Sequence, residues 1–332
     1  MSKYFSRILA AATLSGILLT GCGSAPAPTE PAVPSEPPVT EPVLDLSNAI
    51  FKTAPGEDGV YRILMIGNSG CYYYCDELYE MLAADGIKAE VFNLYYSGCR
   101  VQQHWEWLQN GDAKYQLICH SERGKEVLPD YTLDASLRMR NWDTITLQQA
   151  FWPQWTLENV KTYTNDFSKA LFDYMKPLFP QATFLWHHTW AYQVGFVPLS
   201  GEKENSPENY KVKTVEEQTA FYQMIKTVCE EVAEENGVDI IPVGDAWNIA
   251  RKDPVIGDNL CARLGVNDDN GDYLHDGDIG GGQYLTACVW YGIITGKSPV
   301  GHTFRPDYAL SEELVAALQK AAQQSIDALS AK

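Results

Sequence analysis

The sequence predicts an α/β fold in three layers, a parallel sheet of about five strands with helices on both faces. Short apolar runs of strand type alternate along the chain with longer stretches of helical period, the pattern of successive β-α units. Chemistry-bearing residues (Ser69, Gly98, Gln148, Gln149, His188, Trp190) follow the strand ends, where such sheets gather ligands. No internal repeat or second break in composition divides the last ~275 residues, a length that suits one large domain.

The strands are expected at Arg62–Ile66, Ala89–Leu94, Thr144–Leu147, Thr183–His187 and Asp239–Val243. Helical patterns fill much of 74–85, 158–176, 214–236, 281–295 and 311–330. Residues 111–141 have little periodicity and read as an insertion near the site, and 196–213 read as a solvent loop.

The fold does not begin at residue 1. Lys3 and Arg7 precede an apolar run, Ile8 to Leu19, that falls short of the ~20 residues a spanning helix needs. Leu19-Thr20-Gly21-Cys22 follows it and resembles the lipobox of bacterial lipoproteins. That resemblance implies a signal peptide over 1–21, a lipid on Cys22, and anchoring at the extracytoplasmic face of a bacterial membrane. Seven prolines between Gly23 and Asp45 favour extended backbone, so 22–58 reads as a tether and 59–332 as the folded domain.

Net charge is −18, with 25 basic residues against 43 acidic ones, which argues against nucleic acid or anionic lipid as the main ligand. Apart from Cys22, seven cysteines stand at scattered positions, an odd count that is no disulfide framework.

Ester cleavage needs an attacking hydroxyl, a base for its proton and donors for the oxyanion. Ser69 ends the run Ile63-Leu64-Met65-Ile66-Gly67-Asn68-Ser69, a strand-to-turn junction that suits a nucleophile. His275 is the candidate base, and Asp272, three residues earlier, can orient its ring. Backbone N–H groups of Ser69 and Gly98, and the side-chain amide of Gln148 or Gln149, are the candidate oxyanion donors. Trp152, His188, Trp190 and Tyr192 are candidates to line the substrate site, where aromatic rings can stack on sugars.

Rival readings are weaker. The acidic run before His275 fails the spacing of a calcium loop, since with Gly271 at the sixth place Val266 would be the first ligand. His187 and His188 are adjacent on a strand and point to opposite faces, which is poor for joint metal ligation. One is expected to be buried and the other to line the site. Gly280-Gly281-Gly282 lacks the following Lys-Ser/Thr of a phosphate loop and reads as a tight turn into a helix. No metal or cofactor is expected.

In this order the blocks Gly67-Asn68-Ser69, Gly98 and Asp272-x-x-His275 resemble the SGNH/GDSL hydrolase superfamily over about residues 61–296. The segments Leu147-Gln148-Gln149, Thr189-Trp190-Ala191-Tyr192-Gln193 and Val289-Trp290-Tyr291 resemble a little-studied branch of it. The resemblance implies a flavodoxin-like fold, a metal-independent serine mechanism and, often, deacylation of carbohydrates. One departure stands out: Gln148-Gln149-Ala150 occupies the place of the superfamily's Gly-x-Asn-Asp block. The expectation is therefore a lipid-anchored serine esterase that removes acyl groups, such as acetyl, from carbohydrates. The alternatives are a lipase or thioesterase of the same fold, or a glycan-binding lipoprotein without catalysis.

Overall fold

A computed structural model of the chain describes residues 56–153, 155–195, 212–258, 260, 281–307 and 310–330. Cys22, the tether as far as residue 55, Cys261, Asp272, His275 and most of the 196–213 loop lie outside the described residues. The described strands are β1 (Tyr61–Gly67), β2 (Ala89–Tyr95), β3 (Tyr115–Ser121), β4 (Gly124–Tyr131), β5 (Thr144–Leu147), β6 (Thr183–His187) and β7 (Asp239–Ile241). They form one seven-stranded sheet in the order β4-β3-β2-β1-β5-β6-β7. Each of the five expected runs holds a strand, and together they are the parallel part of the sheet; the fifth stops at Ile241 rather than Val243, because Pro242 caps a helix that starts at Val243.

The count of about five is corrected by β3 and β4, an antiparallel hairpin added to the β2 edge. This hairpin is the stretch 111–141 that lacked clear periodicity. An edge strand buries little: β4 carries Lys125, Glu126, Pro129 and Asp130, and five of its eight residues are exposed. Charges and proline on an edge discourage pairing with another chain, and they also hide the strand from a search for apolar runs.

Alternation along β1 explains why the sheet is covered on both faces. Ile63 and Met65 enter one core, with α1 (Cys75–Ala84), α7 (Val243–Ala250), α8 (Gly282–Thr295) and α9 (Glu312–Ser330). Leu64 and Ile66 enter the other, with α2 (Val101–Asn110), α3 (Leu133–Leu137), α4 (Leu157–Thr162), α5 (Asn165–Met175) and α6 (Val215–Asn236). A strand whose successive side chains face two packed layers must be apolar at every position, and Ile63 to Ile66 are all fully buried.

Register brings the site together. Gly67 at the end of β1 pairs with Tyr95 at the end of β2, and Ile66 pairs with Leu147 at the end of β5. The segments carrying Ser69, Gly98 and Gln148 therefore leave the sheet side by side. On the far side of the undescribed 261–280 segment, Gly281 caps α8 with φ +83, a conformation glycine adopts without strain. This is the tight turn expected of the glycine run. The Gly282 N–H donates to the Leu260 carbonyl at 3.1 Å, so the chain flanking that segment is pinned at one point.

Candidate active site

After β1 the backbone enters a single 3-10 turn, Ser69–Cys71, capped by Asn68. The buried Asn68 side chain accepts the Gly70 N–H at 2.9 Å and donates to the Cys99 carbonyl at 3.0 Å, fastening the β1 turn to the loop after β2. Ser69 is the first residue of this turn and is half-buried. Its place at the strand end follows the sequence expectation.

Gln148 is the buttress beneath this turn. Its Oε1 accepts the Asn68 N–H and the Cys71 thiol, each at 3.2 Å, and its Nε2 donates to Asn68 Oδ1 at 3.0 Å and the Gln149 carbonyl at 2.8 Å. The two flanking glycines make room for it. A Cβ on Gly67 would stand 2.6 Å from Gln148 Oε1, and one on Gly70 2.9 Å from Nε2. Gln149 turns the opposite way. It accepts the N–H groups of Val101 and Ala150 and donates to the Tyr163 carbonyl and Thr164 hydroxyl.

The two glutamines thus face apart, as neighbours on a strand should, and both line the cleft. The expectation that one would offer its amide to an oxyanion is corrected, because both Nε2 hydrogens of each are already committed to fixed acceptors. A glutamine one methylene longer than asparagine reaches past the cleft to the loop carrying Ser69, and locks it. The Ser69 and Gly98 backbone N–H groups remain as the candidate donors.

The cleft spans about 390 Å³, part of it open to solvent, between Ser69, Gly98, the Gln148-Gln149-Ala150-Phe151-Trp152 segment, and Thr189, Trp190 and Tyr192. Trp152 lies over Gly98, where a side chain would meet its ring at 3.7 Å. Trp190 stacks on Trp247 of α7 with ring centres 4.4 Å apart and planes 6° apart. The Tyr192 hydroxyl donates to the Phe151 carbonyl at 2.6 Å, joining two walls. Arg251 braces the same wall from behind, bonded to Asp258 at 2.8 Å and to the Ala191 carbonyl at 2.5 Å. Trp152, Trp190 and Tyr192 are therefore among the residues that line the cleft.

His188 is not. Both strand-end histidines are buried, His187 fully and His188 to 1 % exposure, and neither lines the cleft. His187 sits between Tyr74 and Trp290 with Nδ1 3.3 Å from both the Cys71 thiol and the Tyr74 hydroxyl. Burial drops its pKa to about 3 and pushes the Cys71 thiol well up, so this pair is neutral. His188 stacks on Tyr222, and Gly244 at the start of α7 presses against its ring. Chain beyond β7 closes over the histidine, which the local pattern of β6 did not reveal.

The sequence reading also missed Asn68 as a cap, Phe151 and Thr189 as cleft walls, and the Arg251–Asp258 clamp. Asn68 was open to discovery, because an asparagine before a turn is a preferred cap. Arg251 was not, since its partners lie on other elements.

Among curated proteins none matches this chain. A solved protein of the DUF4886 family from Bacteroides uniformis is similar at 24 % identity with a TM-score of 0.64, covering 80 % of this chain and 95 % of that one. A putative GDSL-like lipase from Parabacteroides merdae aligns at 14 % identity and TM-score 0.43, covering 71 % and 96 %. A lipase/acylhydrolase from Enterococcus faecalis aligns at 14 % and 0.41, over the same shares. The first likeness establishes a shared fold over nearly all of the Bacteroides protein. With a family model matching residues 62–325, the chain belongs to the family described as "Domain of unknown function (DUF4886)".

Proposed function

We propose that this chain is a serine-dependent ester hydrolase that removes acyl groups, acetyl among them, from carbohydrates at the outer face of a bacterial membrane. The observation that carries the reading is the Ser69 turn. A serine stands at the C-terminal end of the central strand, at the head of a turn held by six hydrogen bonds through Asn68 and Gln148, and opens onto an aromatic-walled cleft. Such bracing fixes where the serine stands, which suits a nucleophile that must meet an acyl carbon in one geometry.

In this reading the Ser69 hydroxyl attacks the acyl carbon while His275 takes its proton and then returns it to the leaving alcohol. Asp272 holds the His275 ring in the correct tautomer and stabilises the imidazolium. The oxyanion is held by the N–H groups of Ser69 and Gly98. The anchoring of Leu260 and Gly282 favours this assignment. Gly282 packs against Trp247, whose ring stacks on Trp190 in the cleft wall, and its N–H bonds the Leu260 carbonyl, so the chain on either side of 261–280 stands beside that wall. A small cleft with stacked indoles suits a short acyl group on a sugar better than a long lipid chain.

Hydrolysis of p-nitrophenyl acetate tests the reading. Ser69→Ala and His275→Ala are each expected to lower kcat by about 10⁴-fold or more, with losses that do not add in the double variant. Asp272→Ala is expected to keep more activity, and His188→Ala to keep most of it. Retained hydrolysis in Ser69→Ala, or loss in His188→Ala with His275→Ala active, overturns the assignment.

A further inference from the structure

With the acyl group and the sugar that carries it in the cleft, the remainder of a larger glycan would leave across the cleft's rim. One rim carries a pair of rings. Tyr96, two residues before Gly98, is 40 % exposed, the most open aromatic side chain among the described residues. Its ring packs edge-to-face on Trp107 of α2, with centres 4.8 Å apart and planes at 74°. Trp107 is half-buried and rests edge-to-face on Tyr115 at 5.3 Å. Tyr115 is buried, and its hydroxyl is fixed 2.9 Å from His104 Nδ1.

We propose that Tyr96 and Trp107 form a stacking platform for a neutral pyranose unit, one sugar out from the acylated residue; this rests on the ester-hydrolase reading above. A pyranose presents a face of C–H groups to an aromatic ring and hydroxyls around its edge. The pair supplies two such rings in a fixed arrangement, backed through Tyr115 by the core, so little side-chain freedom is lost on binding. Tyr96 stands near the proposed oxyanion donor: two residues of chain span at most about 7 Å, roughly one sugar unit, between its backbone and Gly98. Exposed Ser97 stands between them with a hydroxyl for the sugar edge. A net charge of −18 turns away polyanionic glycans and leaves neutral or cationic ones. A long acyl chain needs an enclosed apolar groove, whereas Tyr96 is exposed on one side and packed on Trp107 on the other.

The test compares a short ester, a long-chain ester and a glycan series. Kinetics on p-nitrophenyl acetate, on p-nitrophenyl decanoate and on acetylated xylo-oligosaccharides of two to six units are measured for wild type, Tyr96→Ala and Trp107→Phe. Tyr96→Ala is expected to raise KM on the oligosaccharides about 10-fold and to leave p-nitrophenyl acetate unchanged; Trp107→Phe, which keeps a ring against Tyr115, gives a smaller rise. Equal kinetics of Tyr96→Ala and wild type on the oligosaccharides overturn the platform while leaving the hydrolase intact. Loss confined to p-nitrophenyl decanoate overturns it in favour of a lipid chain. Should wild type cleave neither ester, quenching of tryptophan fluorescence by xylohexaose decides: quenching lost in Tyr96→Ala keeps the platform and rejects the hydrolase, and no quenching rejects both.

Discussion

Gln148 is the residue on which the geometry of Ser69 depends. Its one side-chain amide makes four contacts, and two of them hold Asn68, the cap of the nucleophile turn. Replacing it by alanine strands the Asn68 N–H and one acceptor site of its carboxamide in a buried place, and lets the turn shift. A displacement of about 1 Å at a reacting atom can cost ~10² in rate. Gln148→Ala is therefore expected to lower kcat on p-nitrophenyl acetate about 10²-fold with a much smaller change in KM. Gln149→Ala removes bonds to Val101 and Thr164, away from the turn, and is expected to lower the melting temperature while kcat stays near wild type. Equal kcat in Gln148→Ala and wild type would show that the turn holds itself. The opposed facing of the two glutamines was legible from strand alternation. Their roles were not, because an amide's partners depend on what the neighbouring loop presents.

At the scale of elements, β1 is the axis of the molecule, and its junction with β5 has a built-in pH response. Asp143, just before β5, accepts the Arg62 N–H at 2.7 Å and donates its own N–H to the Arg62 carbonyl at 3.0 Å, which extends the β1–β5 ladder by a side chain. Burial raises the Asp143 pKa to about 7, against the downward pull of the Arg62 backbone bond and charge. The folded state therefore keeps a proton that the unfolded chain, with an aspartate near 3.9, gives up. Stability from this group is full below about pH 4 and is lost as pH rises towards 7. In Asp143→Asn this slope disappears. Melting temperature measured from pH 4 to 8 is expected to fall more steeply in wild type than in the variant, the gap opening up to about pH 7 and then holding. Parallel curves would mean that Asp143 ionises normally. The edge hairpin β3–β4 teaches a related lesson about elements. Its outer strand is held by pairing to β3 and by the Lys125–Asp76 ion pair at 2.9 Å, neither of which leaves a periodic mark in the sequence.

For the whole molecule, the expected architecture is a domain carried on a tether from a lipidated Cys22. The motif Leu19-Thr20-Gly21-Cys22 and the prolines behind it motivate this proposal. Expressed in bacteria, the wild-type chain is expected in the membrane fraction, and Cys22→Ser is expected to be released or left unprocessed. One acyl chain binds a bilayer only marginally, so stable partition also implies more than one chain on the N-terminus. Recovery of the wild type wholly in the soluble fraction, beginning at another residue, would make the leader an ordinary secretory signal.

What the sequence determined by itself is the order of the parallel strands and of the helices within 74–85, 158–176, 214–236, 281–295 and 311–330, and the placing of Ser69 and Gly98 at strand ends; α2, α3 and α7 left no such mark. The elements it placed follow from local chemistry: apolar runs with two packed faces, helical period, and turn residues at their junctions. Tertiary structure alone decided which polar groups face the cleft. His188 is sealed by α7, both glutamine amides are spent inside the fold, and Tyr96 is left open on Trp107. Each outcome turns on contacts between residues tens of positions apart or on different elements, and a side chain's partners there are set by how the layers pack rather than by its neighbours in the chain.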